Sequence, residues 1–353
     1  MLLDVLKIFL PSIVSFIIGI LLAPLVSHYL FKFKVWKKKS VGTTIDGQIA
    51  TITAGLHNDE EKKLLRMGGI VIWASVGITA ILFWSISHLV QLPIAEKLDF
   101  ISRNQTWLPL VGMLVGAIVG GIDDLLVSQV FGKIGTYIGG GLSFPLRLLA
   151  VASMGVFAGF WFYTKLDVDS IYIPFYGHIH LGILFIVFFV IVTLALFSTS
   201  VIDGIDGLSG GIFSAIFSAY GVIAFINQQI DIGALCFVIA GSIMAFLWFN
   251  IPPALFMMGE TGIMALLLSL SVIVFMTDAV MYLPIIALPL VVTTLSVIAQ
   301  LFSKKFLKRK IFLVAPLHHH FEAKGWPRYR IVMRYWIVSY MCALLGVVIV
   351  LIS

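Results

Sequence analysis

The chain has 353 residues, of which 60% are hydrophobic and only 11% are charged, and its mean hydropathy is +1.09. Soluble domains carry about 25% charged residues, so this composition excludes an ordinary soluble protein and indicates an integral membrane protein. The formal net charge of +6 predicts no nucleic-acid partner, because membrane proteins concentrate Lys and Arg in their cytoplasmic loops.

Ten apolar stretches are long enough to span a bilayer, which takes roughly 20 residues of helix. These predicted spans are residues 8–31, 68–92, 106–122, 142–164, 179–197, 208–227, 233–250, 262–278, 283–302 and 331–352. Pro284 and Pro289 are expected to bend the ninth span, because proline interrupts the hydrogen bonds of a helix. The predicted fold class is therefore all-α, a single polytopic transmembrane domain over residues 1–353.

The basic residues orient these spans. If the N-terminus is outside, ten spans place the C-terminus outside too, and all but four of the 23 basic residues fall on the cytoplasmic side. The four exceptions are Lys7, Lys97, Arg103 and Lys165. The same orientation predicts that five loops form the cytoplasmic face, namely 32–67, 123–141, 198–207, 250–262 and 303–330.

Four polar clusters lie in those loops. They are Asp123-Asp124, Asp203-Gly204-Ile205-Asp206-Gly207, Gly259-Glu260-Thr261-Gly262 and Pro316-Leu317-His318-His319-His320-Phe321-Glu322. A carboxylate at the edge of a membrane is costly unless water, a cation or a donor satisfies it. Taken singly, each cluster has a structural explanation, such as a solvated helix end, a capped turn or lipid head-group attraction.

The third predicted span carries glycine at every fourth position, at Gly112, Gly116 and Gly120. Small residues at this spacing let a second helix approach closely. The stripe therefore predicts tight helix packing that delivers Asp123 and Asp124 to the membrane surface.

Taken together, the clusters place carboxylates, histidines and lysines on one face. Carboxylates without cysteine favour a hard cation such as Mg²⁺, bound jointly with phosphates. His318, His319 and His320 cannot all face one metal from a regular helix or strand, which disfavours zinc, whereas imidazoles suit phosphate contacts or proton transfer. The combination predicts Mg²⁺-assisted phosphoryl transfer between a soluble phosphate compound and a lipid.

The His segment, Leu317-His318-His319-His320-Phe321-Glu322-Ala323-Lys324-Gly325-Trp326-Pro327, is followed by Arg334-Tyr335-Trp336-Ile337. It resembles the signature of phospho-N-acetylmuramoyl-pentapeptide transferases, which belong to the polyprenyl-phosphate N-acetylhexosamine-1-phosphate transferase superfamily. The acidic clusters, the stretch 250–262 and Met67-Gly68-Gly69 are similar to other motifs of that family, in the same order. The resemblance covers the chain from about residue 67 to its end.

This resemblance implies transfer of phospho-N-acetylmuramoyl-pentapeptide from its UDP derivative to undecaprenyl phosphate, giving lipid I and UMP for peptidoglycan synthesis. It implies Mg²⁺ as cofactor, a homodimer, and a multi-pass protein of the bacterial plasma membrane whose active site faces the cytoplasm. The residues that it assigns are Asp123, Asp124, Asp206 and His318 as catalytic, with Asp123 the candidate general base, Glu260 as metal ligand, and Lys62, Asp203, Asn250, His319 and His320 as substrate-binding.

The chain departs from the family pattern at several of these motifs. Ser200 and Phe197 stand where Asn is usual, Val127 where Lys is usual and Glu260 where Asp is usual. Met257 replaces an aromatic residue, Ile263 replaces Ser and Leu65-Arg66 replaces Pro-Thr. These departures leave open a sibling that transfers N-acetylglucosamine phosphate, and a degenerate relative without turnover. An ion-coupled transporter is disfavoured, because its acids would lie near the bilayer midplane on broken helices.

Overall fold

The structure is a computed structural model that describes residues 2–36, 64–90, 93–102, 104–130 and 141–353. Within these ranges the chain forms thirteen α-helices and one β-hairpin, with three short turns of other helical pitch. The α-helices are α1 (Leu2–Lys32), α2 (Ile70–Leu89), α3 (Pro93–Leu98), α4 (Trp107–Val127), α5 (Phe144–Lys165), α6 (Leu184–Ser198), α7 (Leu208–Ile226), α8 (Ile230–Asn250), α9 (Gly259–Met276), α10 (Leu283–Ile286), α11 (Leu288–Phe302), α12 (Leu317–Ala323) and α13 (Arg328–Ile352). The hairpin consists of β1 (Ser170–Ile173) and β2 (Gly177–His180), and the remaining turns are Thr199–Ile202, Val280–Tyr282 and Ser303–Leu307.

Ten helices of the described chain are long and apolar enough to cross a membrane. They are α1, α2, α4, α5, α6, α7, α8, α9, α11 and α13, where α6 and α11 include the turns that follow them. The all-α expectation and the predicted number of spans are confirmed. The main difference is that α1 begins at Leu2, six residues before the predicted start.

The predicted start of the fifth span, at residue 179, is wrong, because the helix begins at Leu184. Residues 177–180 belong to the antiparallel hairpin, in which Ile171 pairs with Ile179. Gly177 has a φ of +98° and lets the chain turn between the strands, and β-branched isoleucines favour extended backbone. The Tyr172 hydroxyl donates a hydrogen bond to the Ser353 carbonyl at 2.7 Å, so the hairpin rests on the end of α13.

The ninth span is interrupted near the prolines that were expected to bend it. Helix α10 ends at Ile286 and α11 begins at Leu288, with Ala287 in a non-helical conformation between them. Pro289 has no amide hydrogen with which to continue the ladder. The two pieces are separate helices.

Helix α9 is the centre of the bundle, with almost every residue buried. The glycine stripe of α4 lies directly on its backbone. A methyl group at Gly116 would overlap the carbonyl of Met264, and one at Gly120 would overlap the carbonyl of Glu260. The predicted close approach is confirmed, and it sets the acidic end of α4 beside the first turn of α9.

Candidate active site

The chain preceding α2 is fastened to the loop preceding α9. Leu65 forms a parallel bridge with Phe256, and its carbonyl accepts a hydrogen bond from the Met257 amide at 2.8 Å. The Gly68 amide donates to the Met257 carbonyl at 2.8 Å. A methyl group at Gly68 would overlap the Phe256 ring, so the approach needs glycine. The end of the first predicted cytoplasmic loop therefore lies at the base of α9.

Asp124 is fully buried between these elements, and both of its carboxylate oxygens accept hydrogen bonds. Oδ1 accepts from Nε of Arg66 at 3.1 Å, and Oδ2 accepts from the backbone amide of Thr261 at 3.0 Å. Burial alone would lower the pKa of Arg66, but the negative charge of Asp124 raises it above its usual value. The ion pair therefore joins α4 to the segment before α2, and the Thr261 amide joins the same carboxylate to α9.

Asp123 and Glu260 share a second arginine. Asp123 Oδ1 accepts a hydrogen bond from the Leu142 amide at 2.7 Å and lies 3.9 Å from Nε of Arg147. Nη1 of the same arginine lies 3.4 Å from Glu260 Oε1. Glu260 Oε2 is buried without a hydrogen-bond partner among the described residues. Acids from α4 and α9 thus meet a cation from the first turn of α5.

The loop 203–207 joins this cluster through the first residue of α9. Asp203 accepts hydrogen bonds from the Ser209 hydroxyl at 2.8 Å and from the Gly259 amide at 3.0 Å. Burial raises the pKa of Asp203 despite both contacts. Asp206 lies half-buried three residues further on, in the same loop rather than in the helix that follows.

Asn250 is held by backbone at both ends of its amide. Its Oδ1 accepts a hydrogen bond from Gly207 N–H at 2.8 Å, and its Nδ2 donates to the Phe256 carbonyl at 2.8 Å. The side chain is buried. These contacts join the loop 203–207 to the loop before α9, so the observed role of Asn250 is to connect two active-site loops. Its predicted nucleotide contact stays a prediction.

The His motif packs on the same acidic loop. A methyl group at Gly204 would lie 2.6 Å from His318 Nε2 and 2.8 Å from His319 Nε2, so both rings rest on that glycine. His318 is completely buried, and neither ring nitrogen has a hydrogen-bond partner among the described residues. Burial lowers the pKa of His318 to about 3, so the ring is neutral at pH 7.

The other two histidines have different partners. His319 Nδ1 lies 2.9 Å from Glu322 Oε2, and Glu322 Oε1 accepts a hydrogen bond from Nε of Arg328 at 2.6 Å. Burial alone would raise the pKa of Glu322, but these two contacts lower it to about 2. His320 Nδ1 accepts from the Leu313 amide at 3.1 Å. The three rings therefore face three different surroundings.

Comparison with known proteins shows the family of the chain. Residues 106–279 match the family model described as glycosyl transferase family 4. The phospho-N-acetylmuramoyl-pentapeptide-transferase of Levilactobacillus brevis is 31% identical over 310 residues, covering 87% of this chain and 90% of the relative. The chain belongs to this transferase family. The corresponding transferases of Chlorobium phaeobacteroides (32% over 315 residues, covering 80% of this chain and 79% of the relative) and Listeria welshimeri (29% over 342 residues, covering 96% of each) are also similar.

The chain is thus a multi-pass bacterial membrane protein of the phospho-N-acetylmuramoyl-pentapeptide-transferase family, and its predicted motifs converge in one place. Contacts link Asp123, Asp124, Asp203, Glu260 and the His motif through the base of α9. Lys62 lies outside the described residues, so its substrate-binding role stays a prediction.

Sequence reasoning assigned no role to Arg66, Arg147 and Glu322, although each contacts a predicted site residue. Arg66 and Arg147 were counted among the basic residues of the cytoplasmic side, and Arg66 was also named as a departure from the family pattern. The one local signal was at Glu322, which follows His319 at the i, i+3 spacing of a helix.

The carboxylates fit the Mg²⁺ ion that the resemblance implies only in part. Among the residues that the structure describes, no three His, Cys, Asp or Glu side chains form a group able to hold a metal ion alone. Mg²⁺ is usually bound by one or two carboxylates together with substrate phosphates and water. The buried, unpartnered Oε2 of Glu260 fits such joint binding, and Arg147 links it to Asp123. Asp124 fits less well, because both of its oxygens are already occupied.

Proposed function

We propose that this chain transfers phospho-N-acetylmuramoyl-pentapeptide from its UDP derivative to undecaprenyl phosphate. The names of its relatives support the transferred group. An oxygen of the lipid phosphate attacks the sugar-linked phosphorus of the nucleotide. The bond from that phosphorus to the bridging oxygen breaks, so the products are lipid I and UMP. The single observation that carries the proposal is that the acidic clusters, far apart in sequence, meet at the first turn of α9, with the His motif packed on Gly204 beside Asp203.

The residues of the site suit this displacement. Phosphoryl transfer depends on positioning and on stabilising negative charge, and Arg147 is a fixed cation between Asp123 and Glu260. Asp123 is the candidate to accept the remaining proton of the lipid phosphate, on the carboxylate that Leu142 orients. His318, neutral and without a partner for either ring nitrogen among the described residues, can accept and donate one hydrogen bond each to a sugar or phosphate group.

Mg²⁺ as cofactor belongs to this proposal, with Glu260 as its protein ligand. When bound, the ion would neutralise charge on the substrate phosphates. Glutamate is one methylene longer than the usual aspartate, and Mg²⁺ requires about 2.0–2.1 Å octahedral geometry. Arg147 holds one oxygen of Glu260 and leaves the other available.

The orientation and the assembly are also proposals. The bias of basic residues supports an active site that faces the cytoplasm and termini that lie outside. A homodimer follows from the family resemblance alone, and light scattering of the purified protein in detergent would measure it. A monomeric mass would remove the dimer from the proposal without affecting the chemistry.

The decisive experiment is UMP release by the purified protein with undecaprenyl phosphate. UDP-N-acetylmuramoyl-pentapeptide and UDP-N-acetylglucosamine are compared, each with Mg²⁺ and with chelator. Release from the muramoyl donor alone, abolished by chelator, is expected. Release from the glucosamine donor alone would move the chain to the sibling specificity, and no release from either by a folded protein would refute the proposal.

A further inference from the structure

Two acids that the motifs mark as functional are bound to the backbone of a helix. Helix α9 has no side-chain cap of its own at its N-terminus. Asp203 accepts a hydrogen bond from the amide of Gly259, and Asp124 accepts one from the amide of Thr261. The first four amides of a helix lack partners within the helix, so these two carboxylates satisfy groups that would otherwise be unpaired in a buried region.

The fit around these contacts is close. Gly259 has a φ of +73°, and a methyl group there would lie 2.5 Å from Oδ2 of Asp124 and 2.9 Å from the Met67 nitrogen. The second oxygen of each acid is also occupied, by Arg66 on Asp124 and by Ser209 on Asp203. Between Gly259 and Thr261 lies Glu260, whose carboxylate faces Arg147.

We infer that Asp124 and Asp203 are positioning residues, which cap the first turn of α9 from two other elements and thereby hold Glu260 in place. Neither acid contacts the substrate. Arg66 supplies the positive charge that neutralises Asp124. The last turn of α4 has no basic residue that could do so. The inference rests on the proposed transferase function for its kinetic test but not for its structural one.

The hydrogen-bond chemistry separates the two acids. Asparagine at position 203 can accept from the Gly259 amide through its carbonyl oxygen and donate to Ser209, because a hydroxyl can reverse its role. Asparagine at position 124 can still accept from the Thr261 amide. Its NH₂ group then faces the guanidinium of Arg66, and because both groups are hydrogen-bond donors, the contact with Arg66 is lost. If both acids instead contacted substrate through their charge, the two asparagine variants would behave alike, since either substitution removes that charge.

The test uses full-length protein in detergent with Asp203→Asn, Asp203→Ala, Asp124→Asn and the double variant Asp124→Asn/Arg66→Gln. Hydrogen–deuterium exchange of peptides covering residues 256–264 measures the cap directly, without any need for turnover. Protection is expected to survive in Asp203→Asn, to fall in Asp203→Ala and Asp124→Asn, and to return in the double variant. The control is Asp169→Asn, a partly exposed acid that pairs with His180 outside the site, which should leave this exchange unchanged.

UMP release then reports whether the cap serves the reaction. A misplacement of about 1 Å can lower turnover on the order of 100-fold, so Asp203→Ala should lose about that much kcat while KM for the nucleotide stays nearly constant. Asp203→Asn should stay within about tenfold of the parent protein. An inactive Asp203→Asn with normal α9 protection would overturn the inference in favour of a substrate contact. If the parent protein releases no UMP, the proposed function fails, and the exchange data alone test the cap. Unchanged protection of residues 256–264 in Asp203→Ala would then refute the inference.

Discussion

Replacing Gly120 by alanine tests whether the contact between α4 and α9 sets the geometry of the site. The added methyl group would overlap the carbonyl of Glu260 and lie 2.7 Å from the Thr261 nitrogen. Both obstacles are backbone atoms, so a change of side-chain rotamer cannot relieve the overlap. Overpacking of this kind costs about 1–3 kcal/mol, and the shift needed to relieve it moves Glu260.

The stripe offers a graded comparison. At Gly112 the methyl group would lie 3.0 Å from the Leu268 carbonyl, a contact that a small shift relieves, whereas at Gly116 it would overlap the Met264 carbonyl. Gly77 in α2 is the matched control, because nothing lies within 4 Å of its added methyl group. Alanine there should stabilise α2 by about 0.5–1 kcal/mol, since glycine is a poor residue inside a helix.

Thermal unfolding in detergent, followed by tryptophan fluorescence, measures these differences, and UMP release measures the site. The unfolding temperature is expected to fall in the order Gly77→Ala, Gly112→Ala, Gly116→Ala, with Gly120→Ala comparable to Gly116→Ala. Activity is expected to be lost most completely in Gly120→Ala, because its methyl group meets the residue that carries the carboxylate. Parental stability and activity in Gly120→Ala would refute the close contact between the two helices.

Three further changes probe the surroundings of the site. Glu322→Gln should lower stability at pH 7 by about 1–2 kcal/mol, after allowance for partial exposure. Because folding depresses the pKa of Glu322 to about 2 from 4.5, its contribution to the free energy of unfolding is complete above about pH 4.5 and is lost as the pH falls through about 2. A stability difference between variant and parent that stays constant from pH 4.5 to pH 2 would contradict this. Glu260→Asp should change the dependence of UMP release on Mg²⁺ concentration, and an unchanged curve would argue against metal ligation. Trp336→Phe removes the hydrogen bond that the indole donates to the Gly207 carbonyl at 2.9 Å. The Gly211 amide also donates to that carbonyl, at 3.4 Å, so the loss should cost about 0.5–1.5 kcal/mol in thermal unfolding, and an unaltered midpoint would show that the indole hydrogen bond contributes no stability.

The spans and the grouping of the motifs could be predicted because both depend on local patterns. Runs of apolar residues mark membrane helices whatever their neighbours are, and glycines at four-residue intervals mark a close helix contact. The proline break between α10 and α11 follows from one missing amide. The hairpin was not predicted, because most residues from 179 to 183 are as apolar as those of α6. Hydropathy alone therefore gives no boundary between the second strand and the helix.

The division of roles among the acids could not be predicted, because it depends on partners far away in sequence. Arg66 lies 58 positions from Asp124 and Arg147 lies 113 from Glu260. Composition shows that such acids need partners but not which partner each one has. The amide of Asn250 is a similar case, since its hydrogen bonds to Gly207 and Phe256 depend on how two loops meet.

That arrangement of Asn250 bears on how variants and inhibitors of this protein are interpreted. A compound designed to hydrogen-bond this amide must compete with two backbone groups that already occupy it, so the position is a poor anchor for a ligand. Substitutions at 250 would disturb the acidic loop and the loop before α9 at once, so weaker nucleotide binding in such a variant would not by itself demonstrate a contact with the residue. In a mutational scan, the contacts of Asn250 with the two loops would by themselves make position 250 sensitive to substitution.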